Sequence, residues 1–183
     1  MTTALLLVDI QNDYFAGGKM ELEGSMQAGH NAGKILAHFR KNGLSRIHVQ
    51  HVSGRPDAPF FVAGTPGIEI HQSVRPIEGE VIIQKHFPNS FRDTPLLDHL
   101  KTNHVDSLVI SGMMTNMCVD ATVRAAFDYG FKSVVLTDAC ANRSLFYKAL
   151  EIPAQYVHAA FLASLSPIYA RILTVDEYIS QAN

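Results

Sequence analysis

A cysteine heads the amphipathic stretch SGMMTNMCVDATVRAAF, residues 111–127, directly after an apolar run of strand length. Two other reactive groups hold comparable places: Asp9 ends the apolar run Ala4–Val8, and Lys85 ends EVIIQK, 80–85. In an open α/β sheet, ligands bind outside the carboxyl ends of the strands, so these three positions share one edge. A free thiol titrates near ~8.5 and reacts as the thiolate, which a helix N-terminus and a nearby ammonium both favour. A carboxylate beside it can take the thiol proton and later return it to a departing amine. Backbone N–H groups in the turn GMMTNMC, 112–118, would face an oxygen as it becomes negative. Asp9, Lys85 and Cys118 together predict a thiol-based acyl transferase or amidohydrolase needing no metal and no other cofactor. Each residue also has a plainer reading: a cysteine as a small buried hydrophobe, an aspartate as a turn cap, a lysine as a solvated strand end.

The elements that must position them follow from the pattern of apolar residues. After Ala4–Val8 comes a Gly-rich turn at Gly17 and Gly18, then a helix over about 31–42 closed by Gly43, with Ile35, Leu36 and Phe39 on one face. Arg46–Val52 reads as a second strand, 80–85 as a third, 106–112 as a fourth, 132–139 as a fifth and 170–174 as a sixth. Pro95 opens a helix over 94–103, and Gly130 closes the one that starts near Cys118. Helical material is expected from about 140 to Leu165, interrupted or restarted at Pro153, and Thr174-Val-Asp-Glu177 matches a capping box. Residues 53–80, punctuated by Pro56, Pro59, Pro66 and Pro76, read as a long lid or binding loop. The strands are continuous apolar runs, as expected where both faces are covered. The predicted fold is therefore a three-layer α/β/α, Rossmann-like arrangement: a six-stranded, mostly parallel sheet with helices on both faces, forming one domain over 1–183.

Composition narrows the partners. With 15 Lys+Arg against 17 Asp+Glu the net charge is −2, which offers no electrostatic case for nucleic acid or an anionic membrane. No stretch approaches the ~20 apolar residues of a membrane span. The start has no basic segment and no small-residue cleavage site, so it reads as a strand and not as a signal peptide. Two cysteines, Cys118 and Cys140, make neither a CxxC pair nor a disulfide framework, which predicts a reducing, cytoplasmic setting. Neither a Gly-x-Gly-x-x-Gly nor a Walker A sequence occurs. The expected partner is a small-molecule substrate.

The ordered motifs carry a resemblance. LLLVDIQNDYF, GTPGIEI, QKHFPNSFRDTPL, GMMTNMCVDATVRAAFDYGF and VVLTDACA together resemble the isochorismatase-like cysteine hydrolases, which include nicotinamidases and N-carbamoylsarcosine amidases. The resemblance runs through essentially the whole chain. It implies a triad of Asp9 as base, Lys85 as the charge-orienting ammonium and Cys118 as nucleophile. It further implies a cis peptide between Met113 and Met114, with the amides of Met114 and Cys118 forming an oxyanion hole, and a homo-oligomer, dimer or tetramer. The nicotinamidases' Asp-x-His…His metal set is not matched by HVQHVSGRP, 48–56. His48 and His51 are three apart in a strand and so face opposite ways, and no metal is expected. The isochorismatases that cleave an enol ether lack the nucleophilic cysteine, so Cys118 implies hydrolysis of a C–N bond in a small amide, ureido or carbamoyl compound.

Around the triad, Gln11, Phe15 and Asn116 are expected to bind substrate. Phe60 and Phe61 are expected in a lid or subunit contact. Arg55, Arg75 and Arg92 are either carboxylate clamps or ordinary exposed arginines. His158 reads as a hydrogen-bonded structural histidine, and Cys140 as an inert buried thiol. Competing readings stay open: an isochorismatase-type or nicotinamidase-type hydrolase, a thiol redox protein, or a non-catalytic binding protein on the same fold.

Overall fold

The structure, a computed structural model, describes residues 2–55 and 57–182; Pro56, one of the prolines punctuating 53–80, lies outside the described residues. The chain runs β1 (Thr2–Val8), α1 (Ser25–Lys41), β2 (Ser45–His51), β3 (Val81–Lys85), α2 (Leu96–Thr102) and β4 (Val105–Met113). It continues as α3 (Asp120–Asp128), β5 (Lys132–Ala141), β6 (Leu145–Tyr147), β7 (Leu150–Ile152), α4 (Ala154–Leu165), β8 (Arg171–Leu173) and α5 (Val175–Ala182). Six strands form one sheet in the order β3-β2-β1-β4-β5-β8, and every pairing in it is parallel.

Helices on both faces explain why β1 is apolar throughout. Ala4, Leu6 and Val8 pack on one side with Leu96, Leu100, Val123 and Leu165, while Leu5 and Leu7 pack on the other with Ile35, Leu36, Phe39 and Val175. The period-two alternation of a strand feeds two separate cores.

Local signals explain most element ends. Gly43 (φ 64) closes α1, its N–H donating to Arg40 O and that of Leu44 to Phe39 O, a Schellman pair. The Thr174–Glu177 box forms as expected: Glu177 accepts from the Thr174 amide at 2.7 Å, and the Glu177 amide donates back to Thr174 Oγ1 at 3.2 Å. Two expectations need correction. Helix α1 begins at Ser25, not near Asn31, because its first buried face is Ser25, Ala28, Gly29 and Ala32, residues too small to register as an apolar stripe. The stretch 145–152 is not helical but an antiparallel hairpin, turning at Lys148 (φ 55) with Tyr147 opposite Leu150.

A buried carboxylate ties α1, β2 and β3 together. Glu80 accepts from Arg40 Nε and Nη2, both at 2.8 Å, from the Ile77 amide at 3.1 Å and from His48 Nε2 at 3.0 Å, with Arg46 Nε 3.1 Å away. Burial alone would raise this carboxyl, but those bonds outweigh it and hold the group down to about 2, against an ordinary 4.5. Its stabilising effect is therefore complete above 4.5 and is lost as the pH falls from there toward 2. Glu80→Gln should cost about 2 kcal/mol at neutral pH, or roughly 4–8 °C in Tm. That deficit should shrink in acid across the same window; an unchanged Tm at neutral pH would refute the assignment.

Candidate active site

Three strand ends converge at the carboxyl edge of the sheet. Asp9 follows β1 in the left-handed region (φ 53), which aspartate tolerates better than most residues, and its amide donates to Val49 O at 3.0 Å. Lys85 ends β3, in register with His51 at the end of β2. Cys118 lies in a π-type turn, Thr115–Val119, between β4 and α3. Gly112 (φ 142) permits the approach of β4 to β1, since a Cβ there would run into the carbonyl of Val8. The peptide between Met113 and Met114 is cis.

The structure brings Asp9, Lys85 and Cys118 together in a buried cluster, with Cys118 only 4% exposed. Lys85 Nζ lies 2.8 Å from Asp9 Oδ2 and donates to the carbonyls of Phe87 and Pro88, each at 3.0 Å. Burial works to raise the Asp9 carboxyl, but the ammonium of Lys85, with His51 and Cys118, holds it below its ordinary value. Burial likewise works to lower Lys85, and the charges of Asp9 and Cys118 keep it above. Cys118 goes the other way from what a helix N-terminus would do: burial first, then Asp9, push the thiol up, with Lys85 opposing. The resting cluster is thus carboxylate, ammonium and neutral thiol, with no net charge to bury.

His51 is the residue that sequence reasoning missed. Its Nδ1 lies 3.4 Å from Lys85 Nζ and 3.8 Å from Asp9 Oδ2. An ammonium only donates, so a Lys85–His51 hydrogen bond uses Nδ1 as its acceptor. The available signal was the one that found Asp9 and Lys85: a polar residue ending an apolar strand. His48 faces the opposite way, toward Glu80.

The expected substrate residues divide. Gln11 is fully buried and bound to backbone, with Nε2 donating to His51 O and Ile68 O at 2.8 Å each and Oε1 accepting from the His51 amide at 2.7 Å. It clamps the end of β2. Phe15 stacks on His71 with ring centroids 3.5 Å apart and lines a separate polar cleft between residues 12–19 and 65–75. Asn116 lies two residues before Cys118, half-buried, with Oδ1 lacking a hydrogen-bond partner. Phe61 is buried against Tyr14 and tilts over His51, ring centroids 4.7 and 5.6 Å away. A cavity of about 200 Å³ opens onto His51 between Ser53, Arg55, Pro59, Phe60 and Phe61. A larger cavity, about 620 Å³, lies at the amino ends of β4, β5 and β8 and holds none of these groups.

Two of the three arginines are engaged elsewhere, Arg55 pairing with Asp57 and Arg92 stacking over Phe87, while Arg75 is exposed and lines the polar cleft. His158 is structural as expected, linking Thr115 Oγ1 at 2.8 Å to Thr137 Oγ1 at 3.3 Å. Burial pushes the Cys140 thiol up to about 12. Among the described residues no helix is long and apolar enough to cross a membrane.

A parallel three-layer α/β sheet with its reactive side chains gathered at the carboxyl edge defines the class of protein. The chain belongs to the isochorismatase family, whose domain it matches over residues 3–177. It is 48% identical over 179 residues to the uncharacterized isochorismatase family protein YddQ of Bacillus subtilis (strain 168), covering 98% of this chain and 99% of that one. A solved isochorismatase hydrolase structure from Oleispira antarctica superposes with a TM-score of 0.94 at 47% identity, covering 98% of this chain and 96% of that one. The nicotinamidase/pyrazinamidase of Mycobacterium tuberculosis (strain ATCC 25618 / H37Rv) is 29% identical over 162 residues, 77% of this chain and 87% of its own. The chain is an isochorismatase-family hydrolase, and the family and fold expected from its motifs hold.

Proposed function

We propose that this chain is a cysteine amidohydrolase that cleaves a C–N bond in a small amide, ureido or carbamoyl compound without a metal. The observation that carries this is the buried Lys85–Asp9 pair, 2.8 Å apart, set beside the neutral thiol of Cys118. Cys118 Sγ attacks the carbonyl carbon while its proton passes to Asp9, and the amides of Met114 and Cys118 receive the oxyanion. Collapse of that adduct breaks the C–N bond as Asp9 returns the proton to the leaving nitrogen, leaving a thioester. Asp9 then takes a proton from water, whose oxygen displaces sulfur, and the thiolate recovers its proton from Asp9. Lys85 keeps the region near neutral throughout and orients Asp9. Similarity to a nicotinamidase/pyrazinamidase supports the reaction class, and His48 is held by Glu80, away from His51. Asn116 is proposed to contact the substrate through its unpartnered Oδ1.

The test is a screen of small amides, ureides and carbamoyl compounds for ammonia release, with acid quenching and mass spectrometry to find acyl adducts on Cys118. Turnover without any adduct, or adducts on Cys140, would overturn the thioester route. Because the thiol transfers its proton only as it attacks, kcat/KM should stay nearly flat between about pH 7 and about 8.5; attack by a free thiolate would climb tenfold per unit there. Iodoacetamide, itself a small amide, should label Cys118 well ahead of Cys140, and equal slow labelling would contradict the assignment.

The chain is further proposed to work as one domain, in the cytoplasm, and as a homo-oligomer. Phe146, 71% exposed, and the exposed Tyr147 and Leu150 stand on the β6–β7 hairpin, a unit of marginal stability alone in water. Lys148 sits in the turn of this hairpin and Glu151 beside Leu150, so the apolar patch carries charges of both signs. Sedimentation as a monomer at micromolar concentration would contradict self-association.

A further inference from the structure

We infer that the same buried cluster captures a thiophilic divalent cation between Asp9, His51 and Cys118, in competition with Lys85, and is silenced by it. A carboxylate oxygen, an imidazole nitrogen and the sulfur of these three residues all lie within 4.8 Å of one another. Zinc bonds of roughly 2.0–2.3 Å hold tetrahedral ligand atoms roughly 3.3–3.8 Å apart, so the three need close by only about 1 Å. Thiolate, imidazole and carboxylate are together the donor set that zinc prefers.

Two observations show that the donors are unspent. The Asp9 carboxylate is fully buried, yet neither oxygen accepts a hydrogen bond of ordinary geometry; its link to Lys85 is an ion pair. His51 turns Nδ1 into the same cluster, 3.4 Å from Lys85 Nζ and 3.8 Å from Asp9 Oδ2. The place a metal would take is held instead by Lys85 Nζ, next to Asp9 and His51 and steadied by two carbonyls. Lys85 is in this sense the resident cation. A divalent ion entering past His51, 17% exposed along the small cavity, must displace it, because two cations cannot share one buried carboxylate. The thiol proton leaves to solvent as sulfur binds the metal. No step of the proposed hydrolysis uses this ion, and its binding is read without substrate, so failure of either reading leaves the other standing.

The test is titration of the purified full chain with Zn²⁺, and with Co²⁺ as a spectroscopic stand-in. One zinc per chain is expected, with a sulfur-to-cobalt charge-transfer band in the near ultraviolet. Cys118→Ser should abolish the band, and His51→Gln should weaken zinc binding at least ~10-fold. Lys85→Met should tighten it, since the competing cation is gone. Binding left intact by both Cys118→Ser and His51→Gln would place the metal on surface histidines and overturn the inference, as would weaker binding by a folded Lys85→Met chain. Should Lys85→Met not fold, the wild-type cobalt band and its loss in Cys118→Ser decide the matter alone.

Discussion

Cys118→Ser is expected to lower kcat/KM by at least ~10³-fold while the chain keeps its fold. The side chain is small and lies in a turn, so exchanging sulfur for oxygen leaves the packing against Val119 and Val123 nearly unchanged. The hydroxyl is the poorer nucleophile, because Asp9, held below its ordinary value by Lys85, is too weak a base to take an alcohol proton. Ammonia release measures the loss, and circular dichroism with a thermal melt shows that folding is intact. A Cys118→Ser protein that still hydrolyses within tenfold of wild type would sink the nucleophile assignment. Peroxide turnover by the wild-type protein, with no amide hydrolysis, would instead favour a thiol redox protein.

The second large effect falls on the ion pair. Asp9→Asn keeps the shape but removes the proton acceptor, and kcat/KM should fall by at least ~10²-fold. Lys85→Ala should do comparable damage, for it leaves the Asp9 carboxylate uncompensated in a fully buried position. The chemistry needs both partners at once. The double variant should therefore lose far less than the product of the single losses, since removing the second member of a broken pair removes little more. Strict multiplicativity would mean that Asp9 and Lys85 act separately. Chelators should leave the wild-type rate unchanged; activity stripped by a chelator and restored by zinc would favour a nicotinamidase-like mechanism.

Most of this architecture was legible because the chemistry sits at boundaries between patterns. Asp9 and Lys85 interrupt apolar runs, and Cys118 stands where strand period gives way to helix period. The same reasoning lost His51 through one residue: reading the second strand to Val52 made His51 internal, whereas the strand stops at His51 itself, opposite Lys85. The bonding of Gln11 was hidden for a different reason. Proximity in sequence to Asp9 suggests a ligand contact, but a buried amide must be satisfied, and the nearest unpaired groups were the backbone of His51 and Ile68. The hairpin at 145–152 was invisible because its apolar residues are exposed, so no buried periodicity marks them.

The first strand of the chain is the middle of the sheet, paired on one side with β2 and on the other with β4, where Val8 meets Gly112. Parallel neighbours so distant in sequence form late, because loop closure must be completed before the pairing rewards it. On the ribosome, then, Asp9 emerges early and waits. It has no ammonium until β3 is made and no thiol until more than a hundred further residues have followed. The cluster cannot exist in a half-made chain, and a chain shorn of its first strand would lose the carboxylate together with the central strand of the sheet. Competence to react and completion of the fold arrive in the same event, so a pool of nascent or truncated chains carries the cysteine without the reactivity.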